Sequence, residues 1–423
     1  MDIQQNSMKC KNMNTRLKRL FENIKWLFLL QVCSYIFPII SFPYLAQKIE
    51  ISQYGIYVYI LTIMGYYQVL LDFGFTLSGT QRCAENKHNK EKVSTICSSI
   101  IIIKFALAFI GIVFLYVLKN LSIIEEQFNF FVLMYVAFCI NAFLPDYLFR
   151  GMESMSVFAK RNLLTKILFM LILISFIKKE EDFCYIPLAY LIPNIVAFFI
   201  SWYLAKKYMF FSFIIPKLEE IYEEFKCSLF YFFSRVANLF TSSINIIVLG
   251  IIYNNSEIAI FGVASKMIDV IRSLFTPISD AFFPYMLTNK NFRLLKKSVF
   301  ISFFISSLIA GVLFLIIPYI IKIFFGNEYL EAVYIFRLML PLIIIALPIY
   351  LLGYPTLCAL KKDKWANISV IVEGIFQTTG LLLLFIYNMI TFTNVIFLTI
   401  CSEVLILSMR SFLAREILFK NDR

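Results

Sequence analysis

Histidine occurs once in this 423-residue chain, at His88, and the nine cysteines fall singly, with no C-x-x-C pair among them. A zinc or iron–sulfur centre needs several such ligands at close spacing, so neither is expected, and no disulfide framework is suggested. The cysteines, among them Cys10, Cys33, Cys97, Cys227 and Cys401, read as small apolar fillers. Also missing are a Walker loop, a G-x-S-x-G elbow, an H-E-x-x-H helix and any pairing of histidines. ATP-driven transport by this chain alone therefore lacks its phosphate loop, an enzyme reading has little to work with, and no cofactor is called for. Charge is scarce too, at 16% of residues, and one-sided, with 39 Lys and Arg against 27 Asp and Glu.

What fills the chain is apolar: 60% of residues, with a mean hydropathy of +0.79, far beyond a soluble domain. Apolar runs of about 20 residues, enough to cross a bilayer core of roughly 30 Å, recur along the whole length. The basic N-terminal region leads into a full-length apolar run, which argues against a cleavable signal peptide. Twelve spans are expected, near 24–45, 55–79, 94–118, 128–149, 157–177, 183–205, 227–251, 258–287, 298–321, 332–357, 365–387 and 392–410. The net charge of +12 does not point to nucleic acid, because its distribution follows the spans. With a cytoplasmic N-terminus, 28 Lys and Arg fall on inner segments, Lys160, Arg161, Lys166 and Arg410 among them. Only Lys48, Lys119, Lys178, Lys179 and Lys322 fall on outer ones, as the positive-inside rule requires for both termini inside.

The expected architecture is thus an all-α polytopic membrane protein with 12 transmembrane helices in two six-helix lobes. A cytoplasmic segment (1–22) precedes an N-lobe (23–206). A cytoplasmic linker (207–226), with Pro216 and the acidic run Glu219, Glu220, Glu223 and Glu224, leads to a C-lobe (227–410) and a cytoplasmic tail (411–423). A shift of 204 residues lays "SQYGIYVYI" (52–60) on "SEIAIFGVA" (256–264) and Gln31 on Arg235, the mark of parallel repeats about an axis along the membrane normal. Prolines 277 and 284, and 341, 348 and 355, are seven residues apart within each group, so kinks would fall on nearly one helix face.

The most informative stretch is "SKMIDVIRSLFTPISD" (265–280), which carries four charges inside an apolar segment. At about 100° per residue, Ser265, Lys266, Asp269, Arg272, Ser273, Thr276, Ser279 and Asp280 share an arc of about 140°. Such a face cannot meet lipid. In the preceding span Ser234, Arg235, Asn238, Thr241, Ser242 and Asn245 share an arc of about 100°. In the second span Gly65, Gln68, Asp72 and Thr76 form a narrower stripe. The polar faces fit either interhelical ion pairs or a water-filled cavity whose cationic wall, Arg235, Lys266 and Arg272, would favour phosphates. The buried acids Asp72, Glu373 and Glu403 are candidates for ion coupling or for structural pairing. Asp146 and Arg150 are placed to pair at i,i+4, and Lys104 to reach the cytoplasmic interface.

The segment "YGIYVYILTIMGYYQVLLDFGFTLSGTQRCAE" (54–85), with Tyr54, Gly55 and Tyr57, then Asp72 and Gly74, then Gln81 and Arg82, resembles the polysaccharide repeat-unit flippases, the O-antigen and capsule exporters. "DYLFRGMESM" (146–155) is similar to the end of that family's fourth span. The resemblance places the chain in a superfamily shared with multidrug antiporters and with flippases of lipid-linked peptidoglycan precursors. It implies a V-shaped bundle in the bacterial cytoplasmic (inner) membrane that alternates access around a cationic cavity. The implied cargo is a polyprenyl-pyrophosphate-linked oligosaccharide destined for O-antigen, lipopolysaccharide or capsule, handled beside membrane lipids and with a polysaccharide polymerase and chain-length regulator as partners. Arg235, Lys266 and Arg272 would then neutralise the pyrophosphate, while Asp72, Gln68, Asn238, Thr241, Asn245, Asp269 and Thr276 line the path. A cation-coupled multidrug exporter and a membrane polymerase remain open as alternatives.

Overall fold

The computed structural model describes Trp26, Gln31, Cys33, Ser34 and residues 36–119, 127–209, 211–242 and 244–415. Among them the regular structure is helical throughout, with no strand. Eight helical segments are long and apolar enough to cross a membrane: Ile51–Glu85, Lys90–Val117, Phe128–Gly151, Glu180–Tyr208, Phe292–Phe324, Ala332–Ala359, Lys364–Ile386 and Phe392–Leu413. Every expected window from 55–79 onward holds helix; most of the first, 24–45, lies outside the described residues, with helical backbone over 36–48.

Several expected single helices are two. The second span breaks between Asp72 and Phe75, where Phe73 (φ 45°) and Gly74 (φ 82°) are both left-handed. Gly74 is required there, because a Cβ would also stand 2.7 Å from the Tyr231 Cβ and 2.9 Å from the Phe232 nitrogen. The charged stretch itself divides into Asn255–Ser273 and Thr276–Asn289, and Ala332–Leu352 is followed by Tyr354–Ala359. Pro277 and Pro355 therefore occupy first helical turns, where the missing N–H costs nothing, while Pro341 and Pro348 lie in a helix interior. Starts are capped locally. Asn254 accepts from the Glu257 N–H at 2.9 Å while Glu257 accepts from the Asn254 N–H at 3.1 Å, a reciprocal box that begins Asn255–Ser273.

The element order repeats. Ile51–Asp72 and Asn255–Ser273 start 204 residues apart, as do Phe128–Ala142 and Ala332–Leu352; Ile186–Met209 and Phe392–Leu413 start 206 apart. This extends the shift seen in "SQYGIYVYI" from one stretch to the whole chain.

Two compact units are present. The first holds the described residues before Phe42 with Met64–Phe233. Its core includes Phe73, stacked on Phe225 and Phe232 with centroids 4.9 and 4.4 Å away. The acidic run expected in the linker is already helix, Leu218–Ser242. Its first turns dock on Phe75–Glu85: Arg82 lies 2.8 Å from Glu223 and 2.7 Å from Glu224, and Ser78 and Ser228 share a hydrogen bond of 2.6 Å. Asp146 pairs with Arg161 at 2.6 Å rather than with Arg150, which stacks on Phe158, 4.7 Å from its centroid. Lys104 does not reach an interface: it is buried, donates to the Ala142 carbonyl and lies over the Tyr147 ring. The hydrogen bond is made because a buried ammonium needs an acceptor more than it needs solvent.

The second unit holds Phe42–Ile63 and Ser234–Arg423. Residues 51–63 lie against the helix that begins at Asn255. A Cβ on Gly55 would collide with the Asn255 carbonyl at 1.7 Å, and one on Gly262 would meet Val58 at 2.7 Å. Gln47 donates to the Ile323 and Phe324 carbonyls at 3.1 and 2.7 Å, satisfying groups left free at the end of Phe292–Phe324.

Candidate functional site

A cavity of about 460 Å³ opens among the helices of the second unit. From the sequence-expected residues it gathers Asn245, Asp269, Arg272, Thr276, Glu373 and Glu403, and it adds Arg410, Thr399 and Tyr350. Arg272, in the last turn of Asn255–Ser273, lies 2.6 Å from a carboxylate oxygen of Glu403, on Phe392–Leu413. Both side chains are largely covered, at 20% and 8% exposure, so neither charge is met by bulk water. The second oxygen of Glu403 accepts no hydrogen bond from the described residues.

Arg410, expected on an inner segment, lies in the last turn of Phe392–Leu413 and is buried there. Its guanidinium donates to Ser369 Oγ at 3.0 Å, the Ile349 carbonyl at 2.8 Å and the Ala366 carbonyl at 3.4 Å. The Ile349 carbonyl is free because Ala332–Leu352 ends three residues later. Counting positive residues along the chain could not find this, because the arginine sits on a helix whose last turns carry no other mark. Glu373 is buried on the cavity wall with no basic nitrogen within 4 Å among the described residues. Beside it Gln377 donates to Asn245 at 2.8 Å and to Thr399 at 3.2 Å, and Asn245 donates to Thr399 at 3.0 Å.

The remaining expected site residues are placed differently. Lys266 stands 3.9 Å from Asp269 and lies over the Phe42 ring, 6.0 Å from its centroid. Arg235 is half-buried on Leu218–Ser242 and is not part of the cavity wall. Asn238 and Thr241 belong to the same helix, but their side chains lie outside the described residues. Asp72 and Gln68 belong to the first unit, where buried Asp72 accepts from the Thr76 hydroxyl. The cavity wall therefore carries three carboxylates, Asp269, Glu373 and Glu403, against two guanidiniums, Arg272 and Arg410. Of the expected cations Arg235, Lys266 and Arg272, only Arg272 lines this cavity.

The fold resembles those of two solved membrane proteins. It is similar to the inward-facing conformation of a multidrug resistance MATE family transporter, at a TM-score of 0.67 and 13% identity over 94% of this chain and 96% of that one. It is similar also to the lipid II flippase MurJ in an inward closed conformation, at 0.66 and 14% over 93% and 87%. The chain belongs to the family described as "Polysaccharide biosynthesis protein", which matches residues 20–290. Its relatives include the "Putative O-antigen transporter" of Escherichia coli (strain K12), 24% identical over 340 residues, 78% of this chain and 81% of that protein. A second, bearing the same name in Shigella dysenteriae, is 25% identical over 316 residues, 73% and 78% of the two chains.

Proposed function

We propose that the protein is a flippase that carries polyprenyl-pyrophosphate-linked oligosaccharide repeat units across a bacterial inner membrane for O-antigen or capsule synthesis. The observation that carries this reading is the cavity, lined by charged side chains among helices able to cross a membrane, in a chain of a polysaccharide-biosynthesis family. Charges so placed suit a hydrophilic cargo and are costly for a protein that only packs against lipid. The prenyl tail stays in the bilayer while the sugar and diphosphate cross between twelve helices with both termini cytoplasmic. Lys266, Arg272 and Arg235 supply the positive side of the path. A polymerase and a chain-length regulator would take the product on the far side.

The excess of carboxylate on the cavity wall gives the second part of the reading. Glu373, which shares the wall with Arg272 and Arg410 but has no basic nitrogen within 4 Å among the described residues, is suited to take up a proton or small cation while Arg272 and Glu403 satisfy one another. Exchange at Glu373 would then power alternating access, with Asp72 the corresponding acid of the first unit. The same acidity is what a cation-coupled multidrug exporter would use, so the cargo has to be tested directly. Deleting the gene and following surface polysaccharide and lipid-linked sugars by mass spectrometry decides it. Loss of surface sugar with lipid-linked units accumulating on the cytoplasmic side is expected; unchanged polysaccharide would sink the reading.

A further inference from the structure

Helix Ala332–Leu352 ends on the cavity wall, at a joint where consecutive carbonyls lose the donors that a continuing helix would supply. The Gly353 N–H bonds to the Tyr350 carbonyl rather than to that of Ile349, and Pro355 has no N–H to give Leu351. Side chains take their place. Ser279 donates to the Tyr350 carbonyl at 3.1 Å, Thr356 to the Leu351 carbonyl at 2.7 Å and Arg410 to the Ile349 carbonyl at 2.8 Å. Of these three donors only Arg410 is charged. A Cβ on Gly353 would stand 2.8 Å from the Arg410 Nη1 atom and 3.3 Å from its Cζ, so the chain carries a glycine where the guanidinium docks.

The same guanidinium bridges to Asp363–Ile386 through Ser369 Oγ and the Ala366 carbonyl. Glu373 follows one turn beyond Ser369 on that helix face, about 6 Å further along the axis. Glu373 and Arg410 line one cavity, yet among the described residues no carboxylate comes within 4 Å of Arg410. A guanidinium holds a carboxylate about twice as strongly as it holds a neutral carbonyl. An ionised Glu373 would therefore draw Arg410 off Ile349, and the arrangement seen is that of a neutral Glu373. The other charges around the two are already matched. Arg272 has Glu403 at 2.6 Å, and Asp269 has Lys266 at 3.9 Å. Tyr350 and Tyr354 bring hydroxyls, the second donating to Asn367.

We propose that Arg410 is the positioning residue of the joint at Gly353: it holds the Ile349 carbonyl while Glu373 is neutral and moves one turn along Asp363–Ile386 to Glu373 when that carboxyl ionises. The inference rests on proton exchange at Glu373 and names the element through which the exchange acts. Once Arg410 leaves, the Ile349 carbonyl has no donor from the described residues, and the end of Ala332–Leu352 must rearrange to find one. A single proton thus selects between two arrangements of a broken helix on the cavity wall.

The test uses the full-length protein in lipid nanodiscs without cargo, titrated between about pH 5 and 9. Infrared difference spectra give the carboxylic acid band of Glu373, assigned by its loss in Glu373→Gln. In Arg410→Gln the proton should be held about tenfold more tightly, a midpoint about one pH unit higher, and in Arg410→Lys within about threefold of wild type. With intrinsic base catalysis divided out, amide protection over residues 350–356 should fall through the same midpoint in wild type and stay high in Glu373→Gln. That second readout needs no Arg410 variant to fold. An unmoved midpoint in Arg410→Gln, or a Glu373 band that titrates while protection at the joint stays constant, makes Arg410 a structural bracket only. Either result overturns the proposal and leaves exchange at Glu373 standing. No titration of Glu373 in this range removes the exchange and this inference together, while the sugar cargo is still decided by the gene deletion.

Discussion

At the scale of single residues, the pair of Arg272 and Glu403 separates structural from transport roles. Removing one partner of a buried ion pair strands the other, at a cost on the order of 3–5 kcal/mol. Arg272→Ala or Glu403→Ala should therefore lower the unfolding temperature and the amount of protein in the membrane. The double variant should recover much of that loss, because no lone charge remains. If the double variant is folded yet still fails to export sugar, the arginine acts on the cargo as well as on Glu403. Arg150→Ala, which removes only a ring contact, should change export little by comparison. Glu373→Gln keeps shape and volume, so protein level should hold while the pH dependence of transport in vesicles disappears; an unaltered pH profile would exclude Glu373 as the exchanging acid. None of these partnerships was readable from the chain, since Arg272 and Glu403 are 131 positions apart on different helices. The polar arc around residue 272 showed that some partner had to exist. Which one depended on packing.

At the scale of elements, the docking of Leu218–Ser242 on Phe75–Glu85 carries its own pH signature. Burial pushes the Glu224 carboxyl up to about 7 against the pull of Arg82, whereas the hydrogen bond from Arg82 holds exposed Glu223 below its usual range. A carboxyl with a raised folded pKa keeps its proton after the undocked form has lost it. Docking is therefore favoured most below about pH 4.5 and weakens as pH rises toward about 7. Once the intrinsic base catalysis of exchange is divided out, protection of the amides over residues 218–228 should fall between pH 5 and 7.5 in wild type and hold steady in Glu224→Gln. An unchanged slope in the variant would place the titration elsewhere. The helices themselves were largely legible: from 55–79 onward each apolar window holds helix, although the window 227–251 missed that its helix begins at Leu218. The breaks were less so. Pro277 and Pro355 suggested kinks but begin new helices, and the break at Gly74 rests on a left-handed Phe73 that no pattern announces. Counting positive charge places Arg410 on an inner segment, and it lies in the last turn of its helix; that its guanidinium is buried against Ser369 and the Ile349 carbonyl depends on packing, which the count does not see.

At the scale of the whole molecule, the repeated element order and the charge asymmetry make one joint claim about sidedness. In the twelve-span reading Cys184 lies at the outer end of the span near 183–205 and Cys227 at a cytoplasmic helix end; both are exposed. An offset of 204 residues, the spacing of the repeated helices, carries Cys184 to Asn388, in the turn after Asp363–Ile386. Its neighbour Tyr387 is 70% exposed and has a φ of −85°, so a cysteine fits there without strain. Parallel repeats of six spans each leave equivalent loops on the same side, whereas an odd number per half would put them on opposite sides. In a background with the other cysteines replaced by alanine, a membrane-impermeant maleimide on intact spheroplasts should label Cys184 and Tyr387→Cys but not Cys227. Inside-out vesicles should reverse all three. Labelling of Cys184 and Tyr387→Cys from opposite sides would mean that an odd number of crossings separates them. The two halves would then be inverted rather than parallel, and the placement of every charged residue by sidedness would have to be redrawn.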